Sequence, residues 1–307
     1  ALCNRTVERA EKRRAEFVPN ARVYSSLDAM LVAEELDFID ILTAPELHFE
    51  QCHAAMAAGL YIVCQKPLSD NLDLATKLVA TAKHYPKCFA IHENHRYRPW
   101  FQHVRSLLKG GELGNPIFLR LEHLNATEPL EIYKNEAAAG VWLEYGSHLV
   151  DMMRSVLGEP RRVHGRMHHL NPNVNGESLA HATFEYPNCT AVIEAAWKLG
   201  AVTQSSLLLA GDAGEAWFEG TFTRGQEGRL RINKGKVLVS DRFVSPIDEY
   251  VESFYLLQRE FIDAVLGLGQ LTQTGEEHLR TLRCTIAAYD SASNRALTEI
   301  RSVNGKN

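Results

Sequence analysis

Up to about residue 95, short apolar runs alternate with longer amphipathic stretches. Residues 1–3 read as the end of a strand, and residues 38–42, 61–64 and 88–91 as further strands. Between them, helical spacing predicts helices from Thr6 to about residue 17, over 46–58 with Gly59 as the stop, and from Ser69 or Asp70 to about residue 84. Strands of four or five near-continuous apolar residues are buried on both faces. Their alternation with helices predicts a parallel sheet with helices on either side.

Beyond about residue 95 the pattern changes. A helix over 97–108 stops at Gly110-Gly111. Alternating segments follow at 116–125, 161–170, 178–185, 189–198, 205–210, 216–220 and 229–232. Short turns rich in Gly, Asn or Asp join them, which predicts a large, mostly antiparallel sheet. Helices over 142–157, 249–266 and 276–296 interrupt or close it, and 171–177 reads as an exposed loop. The expected fold is therefore an α/β Rossmann-like nucleotide-binding domain over 1–95 followed by an α+β domain over 96–307, with the site in the cleft between them.

Composition supports a packed chain. Its 307 residues suit two domains, and 45% hydrophobic against 23% charged residues argues against disorder. A net charge of −5 disfavours nucleic acid as the main ligand. No apolar run reaches the ~18 residues that span a membrane, and no signal peptide is read in the chain. The six cysteines form no C-x-x-C pair, as expected of reduced thiols in a cytoplasmic protein.

Two positions stand out chemically. Lys66 ends an apolar strand just before Pro67, where a flexible amine can reach a cleft and polarise a substrate oxygen. Glu144, His148 and Asp151 follow i, i+4 and i+7 spacing, which places a carboxylate beside an imidazole on one helix face. Asp151 is expected to support the fold, pairing with Arg154. His164 and His168 share a strand face, but Arg166 stands between them and there is no third ligand, so no metal is expected.

Four patches, in order, resemble the glucose–fructose oxidoreductase, inositol dehydrogenase and MocA (Gfo/Idh/MocA) family. They are Thr43-Ala44-Pro45 with His48, Gln65-Lys66-Pro67, Asn94-His95-Arg96-Tyr97-Arg98-Pro99, and Leu143-Glu144-Tyr145-Gly146-Ser147-His148 through Asp151. Residues 287–292 are similar to the family's last helix, so the resemblance spans nearly the whole chain. Three departures stand beside it. Gln65 and Glu144 replace the family's glutamate and aspartate, and the chain has no G-x-G-x-x-G turn to hold a pyrophosphate. A doubly wound sheet lacking its first strand would expose two unpaired edges, so the chain is expected to be N-terminally incomplete.

The resemblance implies hydride transfer between NADP or NAD and a secondary alcohol or ketone of a sugar, cyclitol or related polyol. It implies Lys66 and His148 as catalytic residues, with Glu144 orienting substrate hydroxyls or the histidine. It implies cofactor contacts from Thr43, Ala44, Pro45, His48, Gln65, Lys66 and Asn94, and substrate contacts from Arg96, Tyr97, Trp142, Glu144 and His148. Asn4-Arg5 follow the first strand where an acidic residue would bind a ribose hydroxyl. A neutral Asn followed by Arg suits a 2′-phosphate and tilts the choice toward NADP, although an exposed arginine opening a helix fits equally. Pro67 is a place for a cis bond. A homodimer or homotetramer is expected. Two other activities remain open at this stage: a redox-neutral, NAD-dependent glycosidase, and a non-catalytic binding relative.

Overall fold

The computed structural model describes residues 1–127, 140–222 and 227–300. β3 (Phe38–Ile41), β4 (Tyr61–Gln65) and β5 (Phe89–His92) form a parallel three-stranded sheet in the order β3-β4-β5. Their inward residues, Ile39, Ile41, Ile62, Cys64 and Ile91, belong to one buried cluster. α3 (Pro45–Ala57) and α4 (Leu72–Ala82) cross between successive strands. Pro45 starts α3 at a position that needs no amide donor, and Asn71 caps α4 by accepting from the Asp73 and Leu74 amides.

β1 (Leu2–Cys3) does not join this sheet. It pairs in parallel with β2 (Val23–Tyr24), with α1 (Val7–Phe17) between them and α2 (Leu27–Ala33) after β2. Thr6 is the N-cap of α1 as expected, but it is the Asn4 side chain that accepts a hydrogen bond, from the Thr6 amide.

Past α5 (Pro99–Lys109), a nine-stranded sheet dominates. It is built from β6 (Pro116–Asn125), β7 (Arg162–His168), β8 (Leu179–Glu185), β9 (Thr190–Trp197), β10 (Gln204–Gly211), β11 (Gly214–Gly220), β12 (Gly228–Lys234), β13 (Val237–Val244) and β14 (Thr298–Glu299). The order is β13-β12-β11-β10-β6-β9-β8-β7-β14. Only the β6–β9 ladder within it is parallel. One face packs on α6 (Ser147–Leu157), where Leu149, Val150, Met152 and Met153 are buried.

Two C-terminal helices return to the first sheet. From α7 (Pro246–Val265), Leu257 and Phe261 pack on Val63 and Ala90. α8 (Gly275–Asn294) places Leu279 and Leu282 in the small sheet's core and Cys284, Ala287 and Ala288 in the large sheet's core. The residue before its cap guards an edge, because the Ile91 amide donates to the Gln273 carbonyl at 3.1 Å. No helix among the described residues is long and apolar enough to cross a membrane.

Candidate active site

The carboxyl ends of adjacent parallel strands are where open α/β sheets place their ligands. Here the segments following β3, β4 and β5 carry Thr43–Ala44–Pro45, Lys66 and Glu93–Asn94 in turn, with Gln65 as the last residue of β4. The Lys66–Pro67 peptide is cis, as the sequence suggested.

Lys66 is nearly buried, at 8% exposure. Its Nζ donates to the Glu144 carboxylate and to the Glu144 carbonyl, each at 2.8 Å. Glu144 lies in a π-helical turn, Trp142–Gly146, that leads into α6. The expected single α-helix from residue 142 is thus wider in its first turn, a distortion frequent at functional sites. Gly146 makes the turn possible: a Cβ there would sit 2.5 Å from the Trp142 ring.

One turn on, His148 Nδ1 hydrogen-bonds the Glu93 carboxylate, just beyond β5. Lys66 and His148 therefore meet beside the same strand ends, one through Glu144 and the other through Glu93. The orienting partner of His148 is Glu93 and not Glu144. Glu93 is fully buried, and burial raises its pKa to about 8 against the pull of His278, Lys66 and Arg96. Burial, then the Lys66 charge, push the His148 pKa well down. Both effects favour a neutral imidazole; the tautomer that donates its Nδ1 proton to a Glu93 oxygen is the one that leaves the Nε2 lone pair to accept a proton. His278 backs Glu93 from α8. Its Nε2 accepts from the Leu68 amide at 3.3 Å, which leaves the proton on Nδ1, 3.9 Å from the second Glu93 oxygen.

Several expected contacts lie elsewhere. Arg96 is engaged within the fold: its Nε and Nη2 donate to the two Asp151 oxygens at 2.5 Å each, and Nη2 also reaches Glu277 at 3.1 Å. Asp151 supports the fold as expected, but its partner is Arg96, whereas Arg154 pairs with Glu159 and Glu277. Trp142 has no exposed surface, and its indole N–H donates to the Thr285 carbonyl at 2.9 Å, so it is core and not pocket wall. The Tyr97 hydroxyl donates to Glu260 at 2.9 Å and stands 3.2 Å from Thr272, turned toward α7 and its following loop.

Among the expected cofactor contacts, His48 is fully buried between two backbone carbonyls, Pro67 at 2.9 Å and Thr43 at 3.0 Å. It braces the turn after β3 against the turn after β4, with no exposed ring to offer a ligand. Asn94 is also buried, its amide donating to Ser253 at 2.8 Å. Thr43 is exposed and donates to Gln51, while Ala44, Pro45 and Gln65 are partly exposed. Asn4 and Arg5 are exposed at the end of β1.

The structure also gathers residues the sequence reading left without a role. His95 stacks on His148, with centroids 4.1 Å apart. Tyr145 stacks on His123 at 4.0 Å, and Phe222 lies 5.7 Å from His123 and 6.0 Å from His95. Burial holds His123 down to about 3 and His95 well below the ordinary histidine range, so both rings are neutral. Among the described residues, no group of three or more His, Cys, Asp or Glu is placed to hold a metal ion.

Comparison with known proteins agrees with this fold. The model of an oxidoreductase family with an NAD-binding Rossmann fold matches residues 1–93, and that of the GFO/IDH/MocA C-terminal domain matches residues 101–217. The chain belongs to the Gfo/Idh/MocA family of NAD(P)-dependent oxidoreductases. It is 26% identical over 313 residues to a D-apiose dehydrogenase of Rhizobium rhizogenes, covering 98% of this chain and 89% of that protein. It is 21% identical to the scyllo-inositol 2-dehydrogenase (NADP(+)) of Bacillus subtilis, covering 94% and 85%. An oxidoreductase from Agrobacterium radiobacter, solved with NAD+, L-tartaric acid and magnesium, shares the fold at TM-score 0.87 and 23% identity, covering 98% and 90%. Levoglucosan dehydrogenase with NADH and levoglucosan does so at TM-score 0.85 and 18% identity, with the same coverage.

Proposed function

We propose that this chain carries hydride between a nicotinamide and a secondary alcohol or ketone on a sugar, cyclitol or related polyol, with Lys66 and His148 as the catalytic pair. The observation that carries the reading is their convergence: an amine held by Glu144 and an imidazole held by buried Glu93, both beside the ends of parallel strands. The named relatives, which act on apiose and scyllo-inositol, support the substrate class.

The residues fit the nicotinamide half of the cofactor. Thr43, Ala44, Pro45 and Gln65 offer polar groups and backbone at adjacent strand ends, while His48 and Asn94 brace them. The cofactor, when bound, supplies a hydride acceptor or donor. In oxidation, His148 Nε2 takes the hydroxyl proton as the carbinol C–H electron pair departs and the C=O forms. Lys66 donates a hydrogen bond to the oxygen as it gains negative charge. Glu93 holds the imidazole in the tautomer that leaves Nε2 free, and Glu144 aims the Lys66 amine. In reduction the same groups return the proton.

Arg5, exposed at the end of β1, supports a preference for NADP through a 2′-phosphate contact. A homodimer or homotetramer on the outer side of the large sheet belongs to the same proposal, supported by exposed Val237, Leu238, Val239 and Phe243 on β13. The test is a panel of polyols and keto-sugars with both nicotinamides, followed by absorbance of the reduced cofactor. Net reduction that disappears in Lys66→Met and His148→Ala is the expected result. Turnover unchanged in both variants would remove the assignment.

A further inference from the structure

Arg98 is the N-cap residue of α5 and has no exposed surface. Its Nε and both terminal nitrogens lack a hydrogen-bond partner among the described residues. A guanidinium carries five donors, and burying it with none engaged costs several kcal/mol. Its surroundings are aromatic: the guanidinium carbon lies 5.2 Å from the Tyr250 ring and 5.7 Å from the Phe222 ring. Ring contacts of that kind offset only about 2 kcal/mol. The nearby carboxylate, Glu249, is directed elsewhere, with one oxygen accepting from the Trp100 amide at 2.6 Å and the other facing Arg242 at 3.5 Å.

Arg98 also stands next to the reaction centre. The two rings that flank it, Phe222 and Tyr250, lie 6.0 and 6.4 Å from His95, which stacks directly on His148. The Lys66 charge is answered by Glu144. The histidines around Arg98 are neutral, so among the described residues its guanidinium is a cation beside His95 and His148 with no hydrogen-bonded carboxylate.

We infer that Arg98 receives an anionic group of the substrate, and that the substrate is a carboxylate-bearing polyol such as a uronic or aldonic acid. The planar fork of the guanidinium matches a carboxylate through two parallel hydrogen bonds. The carboxylate supplies the hydrogen-bonded partner that the Arg98 guanidinium lacks among the described residues, and sets which carbinol carbon faces His148. Tyr145 and Tyr250 are the partly exposed members of the cage, so entry runs past them. The inference rests on Lys66 and His148 being the reaction centre.

The experiment uses the full-length protein and matched pairs: D-glucuronate with D-glucose, D-galacturonate with D-galactose, and D-gluconate with D-sorbitol. D-glucose 6-phosphate forms a separate arm. Calorimetric affinity and nicotinamide reduction are both read. At least one acid should bind ~tenfold or more tightly than its neutral partner and be oxidised faster. Arg98→Met should erase that preference, and Arg98→Lys, which keeps the charge but not the fork, should retain part of it. If Arg98→Met does not fold, the matched pairs on the unaltered protein decide alone. Equal or weaker affinity for every acid overturns the inference, as does a preference confined to the phosphate arm or one that survives in Arg98→Met. Acid-selective binding without nicotinamide reduction supports the anion site and refutes the hydride-transfer reading instead.

Discussion

Replacing Asp151 by alanine separates a structural arginine from a substrate-binding one. Arg96 is 5% exposed and Asp151 is fully buried, and two hydrogen bonds of 2.5 Å join them. In Asp151→Ala the guanidinium keeps only its 3.1 Å contact with Glu277, a carboxylate it already shares with Arg154. Breaking one side of a buried pair costs about 3–5 kcal/mol, because the surviving charge stays out of water. For a chain of this length, a kcal/mol corresponds to about 2 °C in Tm, so a fall of about 6–10 °C is expected by calorimetry. KM of the remaining folded enzyme should stay within about twofold, since in the unaltered protein the Arg96 Nε and Nη2 donors are spent on Asp151 and Glu277. The double variant Arg96→Met with Asp151→Leu removes both charges and should recover most of the lost stability. A Tm shift under about 2 °C together with a rise of about tenfold in KM would refute the reasoning and return Arg96 to the substrate.

Further outcomes follow from the same geometry. Lys66→Met and His148→Ala should each lower kcat by about 10²–10⁴-fold, checked by steady-state kinetics on protein that calorimetry shows to be folded at the assay temperature. Glu93→Gln keeps the shape of the side chain but can neither ionise nor exchange a proton with His148, and kcat should fall by about 10–100-fold while KM holds; an unchanged kcat would detach Glu93 from His148. Burial alone would raise the Glu277 pKa, but the Arg154 and Arg96 charges outweigh it and hold it at about 2. Its contribution to stability is thus present above the ordinary carboxylate range and lost as pH falls toward 2. Glu277→Gln should therefore destabilise the protein at neutral pH, with the gap to the unaltered protein closing in acid, as read by urea unfolding. Gly146→Ala drives a methyl into the Trp142 ring and should cost about 1–3 kcal/mol, with lower kcat if the π turn sets the Glu144 position.

How much of this was legible in the sequence depends on how local the signal is. β3, β4 and β5 announce themselves because strands buried on both faces must be apolar throughout. β2 and α2 escaped: two residues cannot show a period, and a seven-residue helix shows little of one, despite the Ser26 cap. β13 escaped because Val237, Leu238 and Val239 are all exposed, so no alternation marks its faces. The candidate pair, Lys66 and His148, rose from motif order. The residues that orient or crowd it did not, because Glu93 is separated from His148 by fifty-five positions and His278 approaches from another helix. The same distance in sequence hid the Arg96–Asp151 pair behind the nearer, wrong partner Arg154. Trp142 looked like a pocket wall because an aromatic residue beside a motif reads the same whether it faces in or out.

α8 has a mechanical meaning beyond its packing. A single rigid rod has one half of its apolar stripe sunk in each of the two hydrophobic interiors, so neither interior can loosen without dragging the other. The two lobes should therefore melt as one endotherm. Ligand entry must then come from side chains and short loops moving aside, and not from the lobes swinging apart like jaws.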